Sequence, residues 1–195
     1  MRTLLRIDSS LRETGSYGRM YGDRFVARWK AGNPGARVRT RDVAKMQIPH
    51  LTQEVATAFF GADPDASPLA TSNELCEELM ASEALLIVCP TYNLGIPSTL
   101  KAYFDHIVRS RVTFRHDGKT GYKGLLENKT AYLICSMGDK KQDPHVLEPF
   151  EAYLHRILNF MGITEIKTLS VHGTADPEFI QGQNAHYIHL LNQLL

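Results

Sequence analysis

Two short stretches of this 195-residue chain gather side chains and peptide groups able to bind or react. The first, "DSSLRETGSYGRM" (8–20), places Ser9, Ser10, Thr14, Gly15, Ser16 and Gly18 directly before an amphipathic segment. Hydroxyls, free N–H groups and the positive end of a helix dipole converge there, which suits a phosphate monoester. Serine is also among the best N-cap residues, so simple helix capping is the alternative reading. The second stretch, "PTYNLGIP" (90–97), sets Thr91, Tyr92, Asn93 and Leu94 between two prolines. Pro90 ends an apolar run and Pro97 suits a first helical turn, so the peptide groups between them cannot all pair in regular structure. They are available to a flat polar heterocycle, or they form an ordinary turn.

Other chemistries lose support. Neither GxGxxG nor GxxxxGK[ST] occurs, which disfavours a dinucleotide fold and a P-loop triphosphatase. A Cys-x5-Arg phosphatase needs an arginine six residues after its cysteine; Gly95 follows Cys89 at that distance and Lys141 follows Cys135. Both cysteines read as small buried hydrophobes. His186 and His189 are three apart, but no further ligand completes a metal site. His106, His145, His155 and His172 are scattered, so no metal is expected.

The elements that must position the two stretches follow from hydrophobic period. Strands are predicted at 3–7, 36–43, 84–89, 130–135 and 165–171. The first, third and fourth are nearly continuous apolar runs, as in strands covered on both faces. "ARVRTRDV" instead alternates Arg37, Arg39 and Arg41 with smaller residues, which predicts a strand with one wet face at the sheet edge. Helices are predicted at 17–31, 72–82, 98–108, 144–161 and 177–194. The first carries Tyr21, Phe25, Val26 and Trp29 on one side, and the third repeats Leu100, Phe104 and Val108 every four residues. Strands alternating with helices, with the second at an edge, imply a three-layer α/β sandwich with a parallel five-stranded sheet in the order 2-1-3-4-5. In that order the crevice opens beyond the carboxyl ends of strands one and three, where both stretches begin.

Composition sets bounds. Hydrophobic residues at 43% and charged residues at 22% are ordinary globular values, and the length suits one domain over 1–195. A formal charge of +1 offers no broad attraction to nucleic acid or an anionic membrane. No apolar run approaches the roughly 18 residues of a membrane span. The N-terminus "MRTLLRIDSS" has no apolar signal core, and three cysteines without a CxxC pair fit a reduced compartment, so the cytoplasm is expected.

"IDSSLRETGSYG", "PTYNLGIPSTLKAYFDHIVRSRVTFR" and "FMGITEIK" together resemble the FMN-dependent NADH:quinone oxidoreductase and azoreductase family of flavodoxin-like proteins. The resemblance runs over most of the chain. It implies that Ser10 and Ser16-Tyr17-Gly18 hold the FMN phosphate, and that Thr91, Tyr92, Asn93 and Leu94 line the isoalloxazine ring. A third element in the family has Ser or Thr, a variable residue and two glycines; here it is Ser136-Met137-Gly138-Asp139. Asp139 adds bulk and charge where glycine allows close backbone approach. Facing the flavin, it would disfavour the anionic reduced form; the alternatives are that it turns to solvent or caps the next segment through its own side chain.

The resemblance also implies ping-pong chemistry, with NADH or NADPH as donor and a quinone or azo compound as acceptor, in a homodimer with flavin sites near the interface. A flavin carries its own redox chemistry, which accounts for the missing acid/base dyad or nucleophile triad. Phe59, Phe60, Tyr122 and Phe160 are candidates for the substrate space, with core packing as the alternative. Phe59-Phe60, in the long 44–71 connection beside Pro64 and Pro68, suggests a lid or a dimer contact. Arg109, Arg111, Arg115 and His116 either meet nucleotide phosphates or form a solvated helix end. The competing function is a non-enzymatic flavodoxin-like electron carrier or binding module, although the near-neutral charge shows no acidic docking face.

Overall fold

The computed structural model describes residues 2–61, 63, 66–119, 121–140 and 148–195. Continuous apolar runs become the buried strands β1 (Thr3–Asp8), β3 (Ala84–Pro90) and, later in the chain, Thr130–Ser136. Between β1 and β3 lie α1 (Tyr17–Gly32), the edge strand β2 (Arg37–Asp42), α2 (Gln53–Ala58) and α3 (Ala70–Met80). After β3 come α4 (Ser98–Ile107) and a hairpin of β4 (Phe114–His116) and β5 (Tyr122–Gly124). Thr130–Ser136 is β6, followed by α5 (Pro149–Met161), β7 (Glu165–Val171) and α6 (Pro177–Gln193). The parallel sheet runs β2-β1-β3-β6-β7, which is the predicted 2-1-3-4-5 once the separate hairpin is set aside.

Alternation along the central strands feeds two cores. Leu5, Ile7, Leu85, Ile87 and Leu133 pack with Leu100 and Phe104 of α4 and Leu154 and Leu158 of α5. Leu4, Leu86, Val88 and Ile134 pack on the other side with Tyr21, Phe25 and Trp29 of α1 and Tyr187 and Leu191 of α6. Val26 and Val108, expected on buried stripes, are half-buried at the core margins.

Several predicted boundaries move. The helix expected at 72–82 begins at Ala70, after a 3-10 turn at Ser67–Leu69, and ends at Met80. The 44–71 connection contains α2, capped by Thr52. In the helix expected at 144–161, residues 144–147 lie outside the described residues; α5 starts at Pro149 under a reciprocal Glu148/Glu151 capping box. The edge strand is wet as its alternation implies, with none of its residues buried and Arg37 and Arg39 exposed. Arg39 and Arg41 reach across to the buried carboxylate of Glu78 on α3, and Arg41 also meets Glu74.

The hairpin was not foreseen, and it is seated by backbone. Gly162 ends α5 in the left-handed region (φ 101), and a Cβ added to Gly124 would fall 2.1 Å from its nitrogen. Only glycine allows the two chains this approach.

Candidate functional site

The first loop is built by hydroxyls that tie it down. Ser9 donates through Oγ to the Val88 carbonyl at 2.8 Å, fastening the end of β1 to β3. Buried Ser10 accepts at Oγ from the Arg12 N–H (3.3 Å) and from the Ser16 hydroxyl (3.1 Å). Gly15 turns the chain at φ 68, and Ser16 caps α1 by accepting from the Arg19 N–H. Capping and a hydroxyl-lined loop are therefore the same structure.

Arg19 braces that loop from behind. Its guanidinium pairs with both oxygens of Asp42 (2.8 and 3.0 Å), approaches Asp8 at 3.5 Å and donates to the Ser10 carbonyl at 2.7 Å. Burial raises the pKa of Asp8 above the usual carboxylate value, although Arg6 and Arg19 pull it back. The sequence reading missed this network because its members come from β1, α1 and β2.

The second loop is a tight reversal. Tyr92 and Gly95 exchange two N–H···O bonds of 3.0 Å, leaving Asn93 (φ 50) and Leu94 (φ 65) as the central pair. Positive φ at both central positions is the type I′ signature, unusual for leucine. The Tyr92 hydroxyl accepts from the Leu11 N–H at 3.0 Å, joining the two loops. Thr91 N–H donates to the Ser136 carbonyl at 2.7 Å, joining the second loop to the third.

The third loop is braced from the far side. Met137 donates its N–H to Val171, and its carbonyl accepts from the Thr174 N–H and hydroxyl. The Asp139 carbonyl accepts from the Gly173 N–H, while the residue itself is exposed.

The three loops enclose two adjoining openings. A recess of about 250 Å³ is lined by Ser10, Arg12, Gly15, Ser16, Tyr17, Pro90, Ser136, Gly138, Thr174 and Ala175, with Thr91 and Tyr92. A larger cleft of about 1020 Å³ begins at the same Thr91 and Tyr92 and continues past Leu11, Asn93 to Thr99, Lys101, Pro149, Phe150 and Tyr153. Thr91 Oγ1 and Thr99 Oγ1 are shielded and have no hydrogen-bond partner among the described residues. Enclosed hydroxyls without partners are costly unless a ligand meets them.

Of the expected binding residues, Ser10, Ser16, Tyr17, Thr91, Tyr92, Ser136 and Gly138 line the recess, and Asn93 and Leu94 line the cleft. Gly18 lies beneath them, where a Cβ would stand 3.0 Å from Val88 and 3.3 Å from Ser136 Oγ. Met137 and Asp139 line neither opening.

The candidate substrate residues stand apart from both openings. Tyr122 and Phe160 join Phe114 in an aromatic cluster with centroids 4.7 to 5.7 Å apart. Phe59 is half-buried under the Arg109 guanidinium (5.4 Å), and Phe60 is exposed. Arg109 itself is buried and bonded to Ser72 and Asn73, so it is neither a solvated helix end nor a free cation. The sequence reading missed Arg12, Thr174, Ala175, Thr99, Lys101, Phe150 and Tyr153. Arg12 lay inside the quoted loop, but the starts of α4 and α5 carried no such signal.

A hydroxyl-rich recess that opens into an apolar cleft, at the carboxyl ends of parallel strands, matches a ligand with a phosphate at one end and a flat ring system at the other. Among the described residues, no group of three or more His, Cys, Asp or Glu is placed to hold a metal ion.

Comparison with known proteins agrees with this architecture. A family model described as having the flavodoxin-like fold matches residues 2–194. An "FMN-dependent NADH:quinone oxidoreductase" of Xanthobacter autotrophicus is 44% identical over 86% of this chain and 84% of its own length. Another protein of that name, from Burkholderia pseudomallei, is 36% identical over 90% of each chain. Among solved structures, an azoreductase from Bacillus anthracis superposes with a TM-score of 0.88 at 20% identity, covering 100% of this chain and 99% of its own. A B. anthracis FMN-dependent NADH-azoreductase, solved in complex with FMN, superposes with a TM-score of 0.84 at 23% identity, covering 100% and 98%. These structural likenesses establish the fold, and the sequence relatives establish the kinship. The chain belongs to the flavodoxin-like family that includes the FMN-dependent NADH:quinone oxidoreductases.

Proposed function

We propose that the chain, working as one domain over 1–195, is an FMN-dependent NADH:quinone oxidoreductase. The observation that carries this reading is the pairing of recess and cleft across Thr91 and Tyr92. The residues present fit FMN. Ser10, Ser16, Tyr17 and the backbone at Gly18 would hold its phosphate at the start of α1. Thr91, Tyr92, Asn93 and Leu94 would line the ring, with Ser136, Met137, Gly138 and Asp139 forming the third loop beside it. The partnerless hydroxyls of Thr91 and Thr99 supply donors and acceptors suited to a polar heterocycle. When bound, FMN supplies hydride and single-electron transfer.

The chain's own contribution is orientation and access. The Tyr92–Leu11 and Thr91–Ser136 bonds fix the three loops relative to one another, so that a ring bound along them would meet a preformed site. Leu11, Ile96, Pro97, Phe150 and Tyr153 give the cleft apolar walls suited to an aromatic acceptor. One cleft would serve donor and acceptor in turn, so the nucleotide, oxidised once it has given up its hydride, would leave before the acceptor enters, a ping-pong order. NADH is the donor named for the relatives, and NADPH is an extension of it. Quinones are the main acceptors and azo compounds the secondary ones, in line with the structural neighbours. Exposed Leu11, Phe60, Leu94 and Tyr122 offer apolar area for a homodimer contact, in which Phe59, Phe60, Tyr122 and Phe160 would complete the substrate space. Three buried free thiols fit a cytoplasmic protein, and no helix among the described residues is long and apolar enough to cross a membrane.

The test is spectroscopic and kinetic. Purified protein loaded with FMN should be yellow and oxidise NADH rapidly only when a quinone is added. Absence of FMN binding would remove the flavin reading, and bound FMN without turnover would leave an electron carrier.

A further inference from the structure

Resting on the reading of the recess as an FMN phosphate site, we infer that Arg12 is its specificity determinant. The Arg12 guanidinium pairs with the phosphate dianion and sets the preference for FMN over riboflavin. Hydroxyls and N–H groups meet the geometry of a phosphate but leave most of its charge, about −1.5 to −2 near neutral pH, without a counter-ion. The nearby cations are otherwise engaged. Arg6 is paired with Asp8 and Asp23, Arg19 with Asp8 and Asp42, and Lys45 with Glu13.

Arg12 alone among these has no carboxylate partner among the described residues, and it lines the recess. No acidic residue shares that lining, so nothing there competes for the guanidinium. Its backbone is held in place because its N–H donates to buried Ser10 Oγ, while the side chain is exposed. A solvated side chain on an anchored backbone can close over an arriving anion, and guanidinium geometry favours bidentate contact with phosphate oxygens. Arg19 cannot take this role without abandoning both oxygens of Asp42.

The test titrates the flavin-free full chain with FMN and, separately, with riboflavin, following fluorescence quenching for wild type, Arg12→Gln and Arg12→Lys. Arg12→Gln should lose about tenfold or more in FMN affinity, in line with a lost charge-assisted contact, and keep its riboflavin affinity. Arg12→Lys should recover part of the loss, and added salt should weaken FMN binding more in wild type than in Arg12→Gln. An unchanged FMN-to-riboflavin ratio in Arg12→Gln, or equal weakening of both ligands, would overturn the inference while leaving the FMN site standing. Wild type binding neither flavin would overturn the site reading and this inference with it.

Discussion

Leu94 has a left-handed backbone (φ 65) and is 84% exposed, so it bears strain of about 1 kcal/mol with little burial to offset it. Strain of this kind persists where the surroundings hold it, often at ligand sites. Leu94→Gly should therefore raise stability by about 1 kcal/mol in urea unfolding while loosening flavin binding. A variant with lowered stability would contradict the strain. Asn93 tolerates positive φ better than alanine does, and it lines the cleft. Asn93→Ala should weaken FMN affinity or quinone turnover several-fold while the domain stays folded; unchanged affinity and rate would count against the assignment. The thiols make a separate case. Cys76, Cys89 and Cys135 are free and buried, and burial raises the pKa of each above the ordinary thiol value. Native protein at pH 8 should resist iodoacetamide at all three, and denatured protein should react at all three. Rapid native alkylation of Cys89 would contradict its position within β3.

At the scale of elements, what could be read from sequence depended on how much of an element is buried. β1, β3 and β6 are covered on both faces, so their apolar runs identified them, and Arg37, Arg39 and Arg41 marked β2 as an edge. Their order then located Ser10, Ser16 and Thr91 to Leu94 at one end of the sheet before any contact was known. The hairpin left no such trace, because "FRH" and "YKG" are three-residue strands with mostly polar, exposed residues. Its anchoring depends on Gly124 and Gly162, which are separated in sequence and meet only in the fold. Gly124→Ala should lower stability by about 2 kcal/mol or more by forcing the hairpin off the end of α5. It should also disperse the Phe114, Tyr122 and Phe160 cluster, which near-ultraviolet circular dichroism would register. Wild-type stability in that variant would refute the contact. The walls of the larger cleft were illegible for a related reason, since Phe150 and Tyr153 lie within the helix predicted over 144–161 and no local motif marks them as lining a cleft.

For the whole molecule, a formal charge of +1 hides a buried ionic network behind the first loop. Asp8 has a raised pKa in the folded protein, so the native state binds its proton more tightly than the unfolded chain does. Its contribution to stability is complete below the unfolded carboxylate pKa and is lost as pH rises through the raised folded value. Relative to Asp8→Asn, wild type should therefore gain stability as pH falls from neutral toward about 4, followed by urea unfolding at each pH. A difference that ignores pH, or grows the other way, would show that Asp8 is not held as described. The same loop carries the functional account, which requires phosphate and ring to lie on opposite sides of Thr91 and Tyr92. A crystal structure of the protein with FMN tests this most directly. The account predicts the phosphate among Ser10, Ser16 and Arg12, with the ring along Thr91 to Leu94 and reaching the Thr91 hydroxyl. Flavin bound elsewhere, for instance in the groove between β7 and α6, would contradict it.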